Sequence, residues 1–294
     1  MALTPLFVES DMFGDVDDVG ALALALELQA RGRCRLLGIG INTPSLWGPR
    51  AAAVVIREFG ADVPVGVLPG RATDDVFSPD YARLIGSQHT AADPFVDAPD
   101  LLAEVLRTAD VPVTVVSIGF FPNLLALLDL PGGVELVRTK VGRCLVMGGR
   151  FPEGDEFNIS SFPAETAEFL ARWPTAIDFV GFEAGADLLT GKRFSEQLGA
   201  DDPVRVAYEA YAGVDAGRSS WDPLTVYLAA HADSELVSWS DPGELVMHGE
   251  TGRWRADPAG RHRYAIVVAP AAEVEGVLDE LIVGHASRVV DLTP

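Results

Sequence analysis

A chain of 294 residues that is 48% hydrophobic and carries 29 glycines and 20 prolines can bury a large core, and it fits a single large α/β domain spanning 1–294. Its formal net charge of −21 argues against nucleic-acid backbones and anionic membrane surfaces as partners, because both require basic patches that neutralise phosphate. The two cysteines, Cys34 and Cys144, stand far apart without CxxC or His-rich company, so neither a disulfide framework nor a zinc site is indicated; with no basic leader and no apolar run of about 18 residues, the expectation is a soluble cytoplasmic protein.

The first apolar strand is predicted over 6–8 and the first helix over 19–30. Between them, "ESDMFGDVDDVG" places Asp11, Asp15, Asp17 and Asp18 on the connecting loop and the first helical turn. A helix N-terminus stabilises a nearby carboxylate by roughly 0.3–1 kcal/mol, which accounts for one or two acids but not four. Crowded carboxylates raise one another's pKa values unless a cation sits among them. A hard divalent ion answers this, and Ca²⁺ accepts irregular sets of about 6–8 oxygens. The spacing lacks the loop glycine and distal glutamate of an EF-hand.

A strand over 34–41 and a helix over 49–59 follow, then a long Asp/Pro/Gly-rich loop near 70–98. After a helix over 99–108, a strand over 111–118 ends in "SIGFFPNL", where Gly119 permits a tight turn and Asn123 is placed to cap or orient the helix over 122–128. The strand over 140–147 stops at "MGG", with Glu156 and Asn158 just beyond it in "EFNI". Helix 164–172, strand 176–182 and helix 204–211 lead to a second long loop over 212–222. There "SSWDP" sets Asp222 before Pro223 at the start of a helix over 224–230. An irregular or hairpin excursion near 233–263, a strand over 264–268 and a helix over 272–285 close the chain. Such alternation means βαβ units: an α/β fold with one open, mostly parallel mixed sheet and helices on both faces. Ligands of such sheets bind at the carboxyl ends of the strands, where the strand order reverses.

The blocks "ESDMFGDVDD", "VSIGFFPNL", "VMGG" with "EFNI", "WPTAIDFVGFEAGADLLTG" and "SWDPLTV" resemble, in order and over essentially the whole chain, the nucleoside hydrolase family, the inosine-uridine-preferring N-ribohydrolases. The first block is similar to the signature D-x-D-x-G-x-D-D in its lengthened form D-x-D-M-G-x-D-V-D-D, with the glycine one position late. The resemblance implies a Rossmann-like open sheet, a Ca²⁺ cofactor, a small-molecule riboside as substrate, and a homodimer or homotetramer. It implies Asp11, Asp18, the Ile118 carbonyl and Asp222 as Ca²⁺ ligands, Asp11 also as the base that activates water, and Asp17, Glu156 and Asn158 as holders of ribose hydroxyls. The chemistry suits these residue types: anionic oxygens stabilise an oxocarbenium-like sugar, and a cation beside a carboxylate acidifies the attacking water.

Three positions depart from that pattern. Glu9 stands where the signature has Asp, one methylene longer. Trp221 occupies the place of a histidine proposed as leaving-group acid in one branch of the family; an indole N–H cannot serve as a general acid near neutral pH, but its face can stack on a base. Phe162 precedes Pro163 where the family often has Asp, which predicts altered local packing. For the leaving-group side, His89 in the loop with Phe77, Asp80 and Tyr81 is a candidate because it titrates near neutrality, and Tyr208, Tyr211 and Arg218 are rivals. His231, His248, His262 and His285 fall in segments that suggest no catalytic role.

The reading from sequence is hydrolysis of the N-glycosidic bond of a ribonucleoside or related N-riboside. A family member that binds a riboside or pentose without turnover is the alternative, because Glu9 and Trp221 break the pattern. A haloacid-dehalogenase-type phosphotransferase is disfavoured, since "ESDMF" supplies no D-x-D at the strand end.

Overall fold

A computed structural model describes residues 3–70, 73–76, 78–92 and 95–286. Phe77, expected in the covering loop, lies outside the described residues. Among the described residues nine strands form one sheet, in the spatial order Val237–Trp239, Arg263–Val267, Asp178–Val180, Val141–Met147, Val113–Ile118, Thr4–Ser10, Cys34–Ile41, Val65–Val67 and Val96–Asp97. Every neighbouring pair is parallel except the first, where Val237–Trp239 adds an antiparallel edge. This is the open, mostly parallel sheet that the alternating pattern predicts.

The chain runs from the central strand Thr4–Ser10 outward to one edge, then returns to the opposite side of that strand with Val113–Ile118. Strand order therefore reverses between these two, with Ser10 opposite Ile118 in register. Their carboxyl ends part there, which opens the crevice where ligands of such sheets bind.

Period-two alternation divides the core. Leu6 and Val8 join a cluster on one face, and Phe7 joins Phe121, Phe169 and Phe179 on the other. The helix Asp17–Ala30 is buried from Asp17 to Leu28, on all sides. It packs against Trp221–Ala230 and Ala271–Ile282 as well as the sheet strand Cys34–Ile41, which explains why its sequence shows no amphipathic stripe.

Short elements escape the sequence reading. Val65–Val67 spans three residues with a central glycine. Gly133–Lys140 forms a helix behind a glycine turn at Gly132 (φ +77°), so the strand predicted from 140 starts at Val141. The first long loop contains the helix Tyr81–Gly86. The excursion near 233–263 includes a hairpin of Gly243–His248 with Thr251–Ala256, which also pairs with Glu153–Gly154 beside the cleft. No helix among the described residues is long and apolar enough to cross a membrane.

Candidate active site

At the switch point three carboxylates from three elements converge. Asp11 follows the strand Thr4–Ser10, Asp18 lies in the first turn of Asp17–Ala30, and Asp222 lies in the first turn of Trp221–Ala230. One oxygen from each falls within 4.8 Å of the others, and all three residues are buried. The Ser10 hydroxyl donates to Asp18 Oδ1 and accepts from the Met12 amide at 3.0 Å, which fixes the Asp18 carboxylate. Its second oxygen, Oδ2, is buried with no hydrogen-bond partner. Burial, reinforced by Asp15 and Glu156, pushes the Asp11 carboxyl up to about 8. Burial first, then the neighbouring acids, holds Asp18 and Asp222 well above the usual carboxylate range.

An all-oxygen donor set with mutual repulsion and an orphaned buried oxygen fits a hard divalent cation, whose charge lets the acids ionise together. Ile118 ends its strand opposite Ser10 and lines the same cleft. The residue after it must be glycine, since a Cβ at Gly119 would stand 2.6 Å from the Asp11 amide nitrogen.

The sequence-predicted sugar-side residues also line this cleft of about 570 Å³, a size within the roughly 300–1,000 Å³ typical of small-molecule sites. Asp17 Oδ2 accepts from the Trp221 and Asp222 amides, both at 3.1 Å. Asp17 thereby caps the helix Trp221–Ala230 from another element and holds Asp222 against Asp18. Glu156 caps the short helix Phe157–Ser160, accepting from Asn158 N at 2.9 Å, and also accepts from Gly149 N at 3.0 Å. Burial raises its carboxyl to about 7, against the pull of these backbone donors. The Asn158 amide donates to the Met147 carbonyl at 3.2 Å, so its donor end is engaged by the strand terminus.

Aromatic and cationic residues add a wall of different chemistry. Tyr211, Arg218 and Trp221 line it, each half-buried. The Trp221 indole N–H donates to the Phe182 carbonyl at 2.7 Å. His89 does not line the cleft; its ring stacks on Phe95 at 5.8 Å. Tyr81 is fully buried and donates to the Asp15 carbonyl, tying the helix Tyr81–Gly86 to the acidic loop. Tyr208 is buried beside Phe194 and faces Thr190 at 3.4 Å, away from the cleft.

The departures have structural answers. Glu9 is fully buried under the cleft, accepts from Asn123 Nδ2 at 2.8 Å, and is pushed by burial up to about 7. Its extra methylene fits because position 40 is glycine; a Cβ there would stand 2.2 Å from Glu9 Oε1. Asn123 thus orients rather than caps, bridging Glu9 and the Ile41 carbonyl. Phe162 packs edge-on against Phe120, which lines the cleft, with centroids 4.9 Å apart.

Two residues went unread in the sequence. Thr43 lines the cleft with a buried, unpartnered hydroxyl, and Asn42 beside it has an unpartnered Nδ2. Both directly follow the strand Cys34–Ile41, so the strand-end rule applied to Asp11 would have found them. Asp15, read only as part of the acid cluster, pairs with Arg218.

No protein-family model matches the chain, and no curated protein matches its sequence. Solved structures do match its fold. The inosine-uridine preferring nucleoside hydrolase from Bacillus anthracis superposes with TM-score 0.70 at 20% identity, covering 97% of this chain and 100% of that one. The purine-preferring ribonucleoside hydrolase from Gardnerella vaginalis gives TM-score 0.72 at 21% identity, covering 97% and 100%. An inosine-guanosine nucleoside hydrolase gives TM-score 0.74 at 16% identity, covering 96% and 99%. The chain therefore has the nucleoside hydrolase fold, as the sequence blocks predict.

Proposed function

We propose that this protein hydrolyses the N-glycosidic bond of a ribonucleoside or related N-riboside, with Ca²⁺ as cofactor. The observation that carries the reading is the buried trio Asp11, Asp18 and Asp222, with the orphaned Asp18 Oδ2, at the switch point of a nucleoside hydrolase fold. Asp11, Asp18, Asp222 and the Ile118 carbonyl would hold the ion. When bound, the ion supplies the positive charge that lets these acids ionise together and acidifies a water.

The chain's own residues supply the rest. Asp11, 9% exposed and the most open of the three acids, takes a proton from the attacking water. The free acceptor capacity of Asp17, Glu156 and Asn158 holds sugar hydroxyls, and the negative charge of the two carboxylates stabilises the oxocarbenium-like ring as the bond breaks. The acids are buried, so their fields act with little screening by solvent.

One observation favours a second reading, a riboside-binding protein without turnover: the Trp221 N–H is already committed to Phe182 and leaves the histidine position without a proton donor. One experiment decides between them. Inosine, uridine, guanosine and nicotinamide riboside, the first three chosen from the names of the structural neighbours, are incubated with the calcium-loaded protein, and free base is measured by chromatography. Base release that falls by roughly 10³-fold or more in Asp11→Asn supports hydrolysis. Calorimetric riboside binding without release supports the binding reading instead, and release indifferent to Asp11→Asn would sink the proposed role of that acid.

A further inference from the structure

We infer that Arg218 is a catalytic residue that stabilises the departing base through the free edge of its guanidinium, in place of a general acid. This inference rests on the hydrolase reading and goes on to ask how the base leaves.

The other wall groups are unsuited to the task. The Trp221 N–H is committed to the Phe182 carbonyl. Burial, with Asp15 next, pushes the Tyr211 hydroxyl up to about 12, so it holds its proton too firmly to pass it on near neutral pH. His89 and Tyr208 do not line the cleft.

Arg218 does line it, and it is held in place. Its Nε donates to Asp15 Oδ1 at 2.9 Å and its Nη2 donates to Asp15 Oδ2. This two-point pairing fixes the plane of the group. Asp15 is itself anchored: its Oδ1 accepts from Val16 N at 2.7 Å and its carbonyl accepts from Tyr81. The guanidinium carbon lies 5.0 Å from the Trp221 ring centroid and 5.3 Å from that of Tyr211. Among the described residues Nη1 has no hydrogen-bond partner. A planar cation in the cleft lining is thus clamped along one edge, with aromatic rings beside it and Nη1 left over.

A guanidinium does not surrender a proton at working pH. Its contribution is a charge-assisted hydrogen bond to an acceptor on the base, a ring nitrogen or carbonyl near the glycosidic nitrogen. That bond strengthens as charge develops, so it acts on the transition state more than on the bound substrate. In the step itself the C1′–N bond breaks heterolytically and both electrons leave with the base. The water oxygen bonds to C1′ and passes a proton to Asp11. The base departs as an anion hydrogen-bonded to Nη1 and then takes its proton from solvent, while Asp11 returns its own. The sum is riboside plus water giving ribose and neutral base.

The test compares kcat for inosine with kcat for p-nitrophenyl β-D-ribofuranoside, whose nitrophenolate leaves without help, using calcium-loaded wild type, Arg218→Met, Arg218→Lys and Asp15→Asn. The expected result is that the ratio of inosine to nitrophenyl kcat falls about 100-fold in Arg218→Met. Arg218→Lys, which keeps the charge but not the two-point pairing, falls about 10-fold. Asp15→Asn, which removes the positioning partner, shifts the same ratio in the same direction. A ratio unchanged in these variants, with both substrates losing rate equally, would overturn the inference and leave the hydrolase reading intact. A wild type that cleaves neither riboside would overturn both.

Discussion

At the switch point, the floor of the cleft, buried carboxylates from the end of Thr4–Ser10 and the first turns of Asp17–Ala30 and Trp221–Ala230 crowd together with one oxygen left unpaired. Along its wall, Tyr211, Arg218 and Trp221 stand half-buried, with Arg218 paired along one edge to Asp15 and the Trp221 N–H bonded to the Phe182 carbonyl. The first region is over-determined. Its acids sit on backbone held by sheet register and by the Asp17 cap, so their spacing is fixed. The second is built of half-buried side chains at the end of the helix Pro203–Ala212, on the short strand Arg218–Ser219 and at the start of Trp221–Ala230, so exchange there leaves the buried acids in place.

The largest test of this contrast is calcium affinity. Asp18→Asn or Asp222→Asn should weaken Ca²⁺ binding about 100-fold or more by titration calorimetry, whereas Trp221→Phe should change it less than about 3-fold. Equal losses in all three variants would erase the distinction between floor and wall.

Proton linkage gives the next. Without an ion, burial pushes the Asp11 and Glu156 carboxyls up to about 8 and about 7, against roughly 4 in an unfolded chain. Raised folded values mean that the native state holds protons the unfolded chain has released. The stability contribution of these acids is therefore whole below the unfolded values and is lost as pH rises through the folded ones. Ion-free protein should melt at a lower temperature near about pH 8.5 than near about pH 5, and Ca²⁺, which binds the ionised acids, should raise the melting temperature more at the higher pH. Thermal denaturation with calcium or chelator checks this. An identical calcium shift at both values would mean that the ion does not bind at these acids.

The smallest effect belongs to the wall. Trp221→Phe removes the bond to Phe182 and should cost about 1 kcal/mol in chemical denaturation. A loss several times larger would place Trp221 among the over-determined residues after all.

Much of the floor was legible in the sequence because it follows from local rules. An apolar strand, a cluster of acids and a helix must put those acids at a strand end, and parallel alternation makes strand ends the place for a ligand. Asp11, Asp18, Asp222, Glu156 and Asn158 were all found this way or through the blocks they stand in. Short elements such as Val65–Val67 and Tyr81–Gly86 were not, because three to six residues carry too little periodicity to read. Thr43 was overlooked although the same strand-end rule reaches it.

Sequence alone determined the α/β alternation, the acid cluster and the net charge of −21, since each depends on residue type and near-neighbour spacing. Tertiary structure decided which groups face one another across long separations. The Asp17 carboxylate caps a helix that begins 204 positions later, Glu9 is matched to Gly40 and Asn123 from other strands and helices, and Arg218 is clamped by Asp15 across 203 positions. His89 and Arg218 were equal rivals for the base side by residue chemistry. Packing turned His89 toward Phe95 and Arg218 into the cleft, because the direction of a side chain is set by the elements packed around it and leaves no trace in local spacing.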